Sequence, residues 1–200
     1  MKHRFAGLIA CTALALSGHA TDLQVQVQDE QGKPLADAAV FLESREAKAL
    51  AKPLASIEMA QVNRQFVPTV LIVPSGTAVS FPNRDKVRHH VYSFSPIKKF
   101  ELKLFAGTPA NPVVFDKSGI AVLGCNIHDN MAAWVVVVDT PYYANSDKLG
   151  FATLSGVPAG TYHLRVWHPR LAVGAAAADQ TVVVGTTTAN ITYKLAGLTP

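Results

Sequence analysis

The chain has 200 residues, of which 49% are hydrophobic, enough to bury one good core or two small ones. Its 18 Lys and Arg against 14 Asp and Glu give a formal net charge of +4, too small to mark a nucleic-acid binder. No later segment reaches the roughly 20 consecutive apolar residues that a membrane-spanning helix needs.

At the amino end, Lys2, His3 and Arg4 form a basic start, Phe5 to Ser17 is apolar, and Gly18-His19-Ala20 offers small residues for cleavage. Residues 1–20 therefore read as a signal peptide, which predicts a periplasmic or otherwise exported protein. Its removal takes Lys2 and Arg4 away and leaves 16 basic against 14 acidic side chains. Leu8-Ile9-Ala10-Cys11 also resembles a lipoprotein cleavage box, so anchoring at Cys11 is the alternative. Once Cys11 is lost, Cys125 is the only thiol. It is then inert and buried, paired between chains, or bound to a metal.

The body reads as strands. Leu23 to Gln28 alternates with period two, and Asp29-Glu30-Gln31-Gly32-Lys33-Pro34 is turn chemistry. A second strand is predicted over Ala38 to Leu42, and Ser44 to Ala55 is rich enough in Ala, Lys and Glu for one short helix. Strands resume at Ile57 and are expected over Val70 to Val73, Ala78 to Phe81, Val91 to Phe94, Glu101 to Phe105, Val113 to Phe115, Ile120 to Leu123 and Met131 to Asp139. After Thr140-Pro141 come Phe151 to Leu154, Tyr162 to Trp167, Thr181 to Val184 and Ile191 to Leu195, while Ala175 to Ala178 reads as a loop. Many short strands separated by Pro and Gly turns argue an all-β sandwich or barrel.

Cys125-Asn126-Ile127-His128-Asp129-Asn130-Met131 places a thiolate, an imidazole and a thioether within seven residues. Upstream, Asn83-Arg84-Asp85-Lys86-Val87-Arg88-His89-His90-Val91 supplies a second imidazole. Two histidines, a cysteine and a weakly held methionine form the ligand set of a single-copper electron-transfer site. Adjacent strand residues point to opposite faces, so one of His89 and His90 reaches the metal. Zinc also accepts a Cys-His-His set, although thioether sulfur is a poor zinc ligand. A Cys-His hydrolase lacks an orienting third group here. Arg84, Lys86, Arg88, Lys98 and Lys99 surround the histidine pair and are placed to steer an acidic partner; a plain solvated face is the other reading. His163 and His168 read as structural.

The segment from about Ile57 to Thr140 resembles the cupredoxins, most closely the amicyanin branch and the exported proteins of methylamine utilisation. Phe66-Val67-Pro68 leads into Val73-Pro74-Ser75-Gly76-Thr77-Ala78-Val79, similar to that family's Pro-x-Gly-x-x-Val strand opening. Asn83 to Val91 looks like its Asn-Arg-x-x-x-x-His-Asn-Val segment, and Cys125-x-x-His128-x-x-Met131 like the short amicyanin ligand loop. The resemblance implies a Greek-key β-sandwich holding one mononuclear copper, cycling between Cu(II) and Cu(I), on His89, Cys125, His128 and Met131. It leaves His90 as the alternative ligand, with Asn83 and Asn126 as supporting residues. Two departures stand out: His90 replaces the family's Asn, and the ligand loop lacks prolines, so Asn126 and Asp129 are expected to stiffen it by bonds to the backbone.

Val25 to Val40, with its Asp29-Glu30-Gln31-Gly32-Lys33-Pro34-Leu35 turn, resembles the opening of carboxypeptidase regulatory-like (prealbumin-like) sandwiches. Gly150-Phe151-Ala152-Thr153-Leu154 and Val157-Pro158-Ala159-Gly160-Thr161-Tyr162-His163-Leu164-Arg165-Val166 supply the continuation of that pattern. The expected organisation is thus residues 21–56 and 141–200 as two parts of one small sandwich, with a cupredoxin domain, 57–140, between them. Functionally, the reading is an electron carrier rather than an enzyme, serving redox partner proteins. A copper-delivery protein and an assembly or adhesion module with a structural metal are the competing readings.

Overall fold

The computed structural model describes residues 20–199, so the expected signal segment lies, up to His19, outside the described residues. The Leu-Gln-Val-Gln-Val alternation forms β1 (Ala20–Gln28), which buries Leu23, Val25 and Val27 on one face. Asp29 closes the next turn by accepting from the N–H groups of Gln31 and Lys33 at 3.1 and 2.8 Å. β2 (Ala39–Glu43) leads into the helix α1 (Arg45–Leu50), whose first turn is capped by Ser44 Oγ accepting from Ala47 N–H at 3.0 Å. The helix ends well short of Ala55 because Pro53 disfavours helical backbone at the residue before it.

The strands β3 (Ile57–Glu58), β4 (Ala60–Val62), β5 (Gln65–Val67), β6 (Val70–Pro74), β7 (Thr77–Ser80) and β8 (His89–Ser95) follow. Next come β9 (Lys98–Phe105), β10 (Val113–Phe115), β11 (Gly119–Gly124) and β12 (Ala132–Val138). The chain ends through β13 (Tyr143–Asn145), β14 (Phe151–Pro158), β15 (Gly160–Trp167), β16 (Ala178–Val184) and β17 (Ala189–Lys194). The described residues are all-β apart from α1 and turns, and no helix among them is long and apolar enough to cross a membrane.

Among the described residues, four of the five sheets stack in layers, the fifth being the β4-β5 hairpin. The order β14-β1-β17 makes one, with β1 antiparallel to β14 (Leu23 opposite Leu154) and parallel to β17. A second sheet, β13-β2-β15-β16, places Leu42 opposite Leu164. Between these two lies a core of Leu23, Val25, Val40, Leu42, Leu154, Leu164, Val166 and Val182. The third sheet, β6-β12-β11-β8-β9, packs against the fourth, β10-β7-β3, over Leu71, Val73, Val79, Phe81, Phe115, Leu123 and Val135. A smaller apolar layer joins the second and third sheets: Ala39, Phe41 and Trp167 meet Val70, Ile72, Val136 and Val138. β6 and β12 are thus covered on both faces, which is why they are continuous apolar runs instead of alternating ones.

Segments separated by more than a hundred residues are therefore paired directly. The approach is close: Gly150, at φ 80°, offers its carbonyl to Val27 N–H at 2.8 Å, and a side chain there would run into the Val27 carbonyl oxygen. Ser146 repeats the tie, its hydroxyl donating to Leu35 O at 2.6 Å and accepting from Ala38 N–H at 2.9 Å.

Candidate metal centre

Two loops meet at one end of the third sheet. The first joins β7 to β8 and delivers His89 as the first residue of β8; the second, 125–131, joins β11 to β12. The single pairing of Gly124 with Tyr92 sets their register and brings Cys125 beside the start of β8. Gly124 lets the Tyr92 ring lie close, since a Cβ there would come within 2.7 Å of the ring's far end and the ring would have to shift.

The first loop is held by side chains. Asn83 Nδ2 donates to Val87 O at 2.8 Å and Phe105 O at 2.9 Å, while its Oδ1 accepts from Asp85 N–H at 2.9 Å. Asp85 then gathers three donors. Its carboxylate accepts from Asn63 N–H at 2.7 Å and Arg64 N–H at 2.9 Å, and lies 2.7 Å from His89 Nε2. Asn63 and Arg64 both sit in the left-handed region, at φ 54° and 58°, so the carboxylate fastens a strained turn at the tip of the β4–β5 hairpin to the histidine loop. Burial pushes the Asp85 carboxyl up, but the Arg64 N–H, the His89 ring and the Asn63 N–H outweigh it and hold it below its ordinary value. An ionised carboxylate only accepts, so it fixes the proton of His89 on Nε2 and turns the lone pair of Nδ1 inward.

That inward atom has no partner. His89 is fully buried, and its Nδ1 bonds to nothing in the protein. The Nδ1 face meets Cys125, buried, and His128, half-buried: one ligand atom from each of the three lies within 4.8 Å of the others. Cys125 Sγ and His128 Nδ1 are 3.9 Å apart, and the two imidazole rings are 4.9 Å apart between centroids. Burying an unpaired polar nitrogen is costly. A thiol and a second imidazole converging on it form a soft N,N,S donor set that suits copper or zinc. Met131 is also buried, and its N–H donates to His128 O at 3.0 Å, which folds the ligand loop back on itself.

His90 points the other way. Its Nδ1 accepts from Asn126 Nδ2 at 2.8 Å, and its Nε2 lies 3.0 Å from Glu101 Oε1 but off the hydrogen-bond direction, a contact that gains strength only if the ring is protonated. His90 therefore ties the two ligand loops together. The expectation that Asn126 and Asp129 stiffen the loop through backbone bonds is corrected here: Asn126 bonds the His90 ring, and Asp129 makes no side-chain bond among the described residues. The bracing comes from a neighbouring strand because His90 supplies an acceptor facing Asn126.

Asp85 is the residue that sequence reasoning passed over. The available signal was an acid four residues before His89, between a capping Asn and the histidine. His163 pairs with Asp179 at 3.0 Å, and His168 donates to Ala36 O at 3.0 Å, both away from the centre.

No protein-family model and no curated protein sequence matches the chain. Among solved structures, it is similar to a copper-containing nitrite reductase from Thermus scotoductus, at 26% identity and a TM-score of 0.39 over 45% of this chain and 26% of that one. It is similar to a purple cupredoxin from Nitrosopumilus maritimus at 24% identity and a TM-score of 0.37, covering 42% of this chain and 100% of that one. A reduced amicyanin variant matches at 21% identity and a TM-score of 0.38, over 50% of this chain and 98% of that one.

Proposed function

We propose that this chain is an exported single-copper electron carrier of the cupredoxin type. The observation that carries the reading is the buried, unpartnered Nδ1 of His89 aimed at the same point as Cys125 and His128. In this reading His89, Cys125 and His128 form the ligand plane, and Met131 is the fourth, weaker ligand. Copper held there supplies a Cu(II)/Cu(I) couple.

The residues divide the remaining work. Asp85 orients His89, and the His90–Asn126 bond holds the two ligand loops at fixed separation, so little rearrangement accompanies a change of charge. Burial of Cys125 and Met131 excludes water from the sulfur side. His128 is the half-exposed member, and its neighbour Ile127 is 47% exposed, which makes this edge the contact for a redox partner. Exposed Arg84, Lys86 and Arg88 lie on the adjoining loop and favour a partner with an acidic face.

Residues 57–140 form the copper-carrying domain in this account. Residues 21–56 and 141–200 form one flanking sandwich, a division supported by the β1–β14 and β2–β15 pairings. Residues 1–20 are a signal peptide removed on export. Voltammetry of the copper-loaded protein tests the carrier role. A reversible one-electron wave with fast self-exchange is expected, whereas slow exchange with ready handover of copper to a chelator would make it a delivery protein.

A further inference from the structure

A groove of about 840 Å³ lies where the outer face of the third sheet meets the loop that follows β15. Its size falls within the range of small-molecule sites. Tyr92 and Trp134 line it from the sheet, buried Trp167 and the loop 169–176 from the segment after β15, and Phe94, 75% exposed, is also in the lining. Both tryptophans of the protein are in it, their ring centroids 6.0 Å apart, and Tyr92 and Phe94 form a second pair at 5.2 Å. The overhanging loop contributes small side chains, Ala172, Ala175 and Ala176, so the space beside the paired tryptophans is left open.

The charge of the lining is one-sided. Asp129 is the only charged side chain in it; it is exposed and makes no ion pair among the described residues. This contrasts with the lysines and arginines that outnumber acids over the whole chain. The accessible rings of Phe94, Tyr92 and Trp134 with a single carboxylate, and no competing Lys or Arg, match an organic cation: the rings attract it through their quadrupoles and the carboxylate sets its orientation. From this charge complementarity we infer that the groove binds a small organic ammonium ion, aryl- or alkyl-substituted, with its charged head toward Asp129. The site needs both the inserted sheet and the flanking sandwich, which gives their fixed contact a purpose beyond burial of apolar surface.

The groove shares Cys125 and Met131 with the proposed metal centre, so the inference concerns the metal-free chain, where failure to bind a cation leaves the metal reading untouched. It is tested on the full, metal-free chain by tryptophan fluorescence, because an occupant sits against the half-buried Trp134, next to the buried Trp167. Benzyltrimethylammonium is titrated in parallel with its uncharged isostere neopentylbenzene. Saturable quenching by the cation is expected, with the neutral probe weaker by about fivefold or more. Asp129→Asn, at an exposed position that leaves folding intact, should bring the cation down to the neutral level. Ala176→Arg, at the exposed lip, should abolish cation binding while leaving the circular dichroism unchanged. Equal binding of the two probes, full affinity in Asp129→Asn, or no saturable change with either probe would each overturn the inference.

Discussion

Replacing Asp85 by Asn removes one charge and leaves the shape nearly unchanged, so it isolates what the carboxylate does. In the native loop both oxygens accept, one from Asn63 N–H and the other from Arg64 N–H and His89. An amide keeps one acceptor and gains a donor. If its NH2 faces His89 Nε2, the ring's proton is driven to Nδ1, the atom that should carry the lone pair. If it takes the other oxygen's place instead, two N–H donors oppose each other at Asn63. A hydrogen bond to a charged group contributes about 1.5–3 kcal/mol, and loss of such a partner behind a metal-bound histidine costs about 10–100-fold in metal affinity. Asp85→Asn should therefore weaken copper binding by at least about tenfold and lower the melting temperature of the metal-free protein, and Asp85→Glu should recover part of both. Competition against a chromophoric chelator, read well below the melting temperature, measures the first effect. Copper affinity within about twofold of wild type in a folded Asp85→Asn protein would refute the positioning argument.

His89→Ala should cost far more copper affinity than His90→Ala, because His89 offers the unpaired Nδ1 and His90 is already engaged by Asn126; isothermal titration of both variants gives the order. His168 is buried, which pushes its pKa below the ordinary 6.5, and it is neutral in the fold, donating to Ala36 O and accepting from Arg170 N–H. The unfolded chain takes up the proton first, so stability should fall as pH drops below about 6.5 until the folded-state pKa is passed. His168→Gln should flatten that part of a melting-temperature profile. A chain ending at Thr140 leaves β1 and β2 without β14, β17, β13 and β15. Limited proteolysis should then cut within residues 20–43 while 57–140 stays protected and binds copper, and protection of 20–43 would contradict the two-sandwich division.

Strands with one face on a core were legible from alternation, β1 and β15 above all, since period two is what a half-buried strand imposes. The run Trp134 to Val138 was legible as a strand but not as a two-faced one, because its second face meets Phe41 and Trp167, residues far away in sequence. The short strands β3, β4, β5 and β13 were not separable, being two or three residues each and set by tertiary contacts. At the centre, Cys125, His128 and His89 stood out because their chemistry is rare and their spacing tight. Asp85 did not, since a carboxylate in a polar loop is commonplace until the fold turns it toward a ring. The groove beside Trp134 was beyond reach for the same reason: it belongs to neither segment alone.

Copper loading tests the central claim most directly. Titrating Cu(II) into the full chain should saturate at one ion and produce an intense visible band from thiolate-to-copper charge transfer, and Cys125→Ser should remove that band. A colourless protein that takes up zinc in preference to copper, or a band that survives Cys125→Ser, would contradict the account.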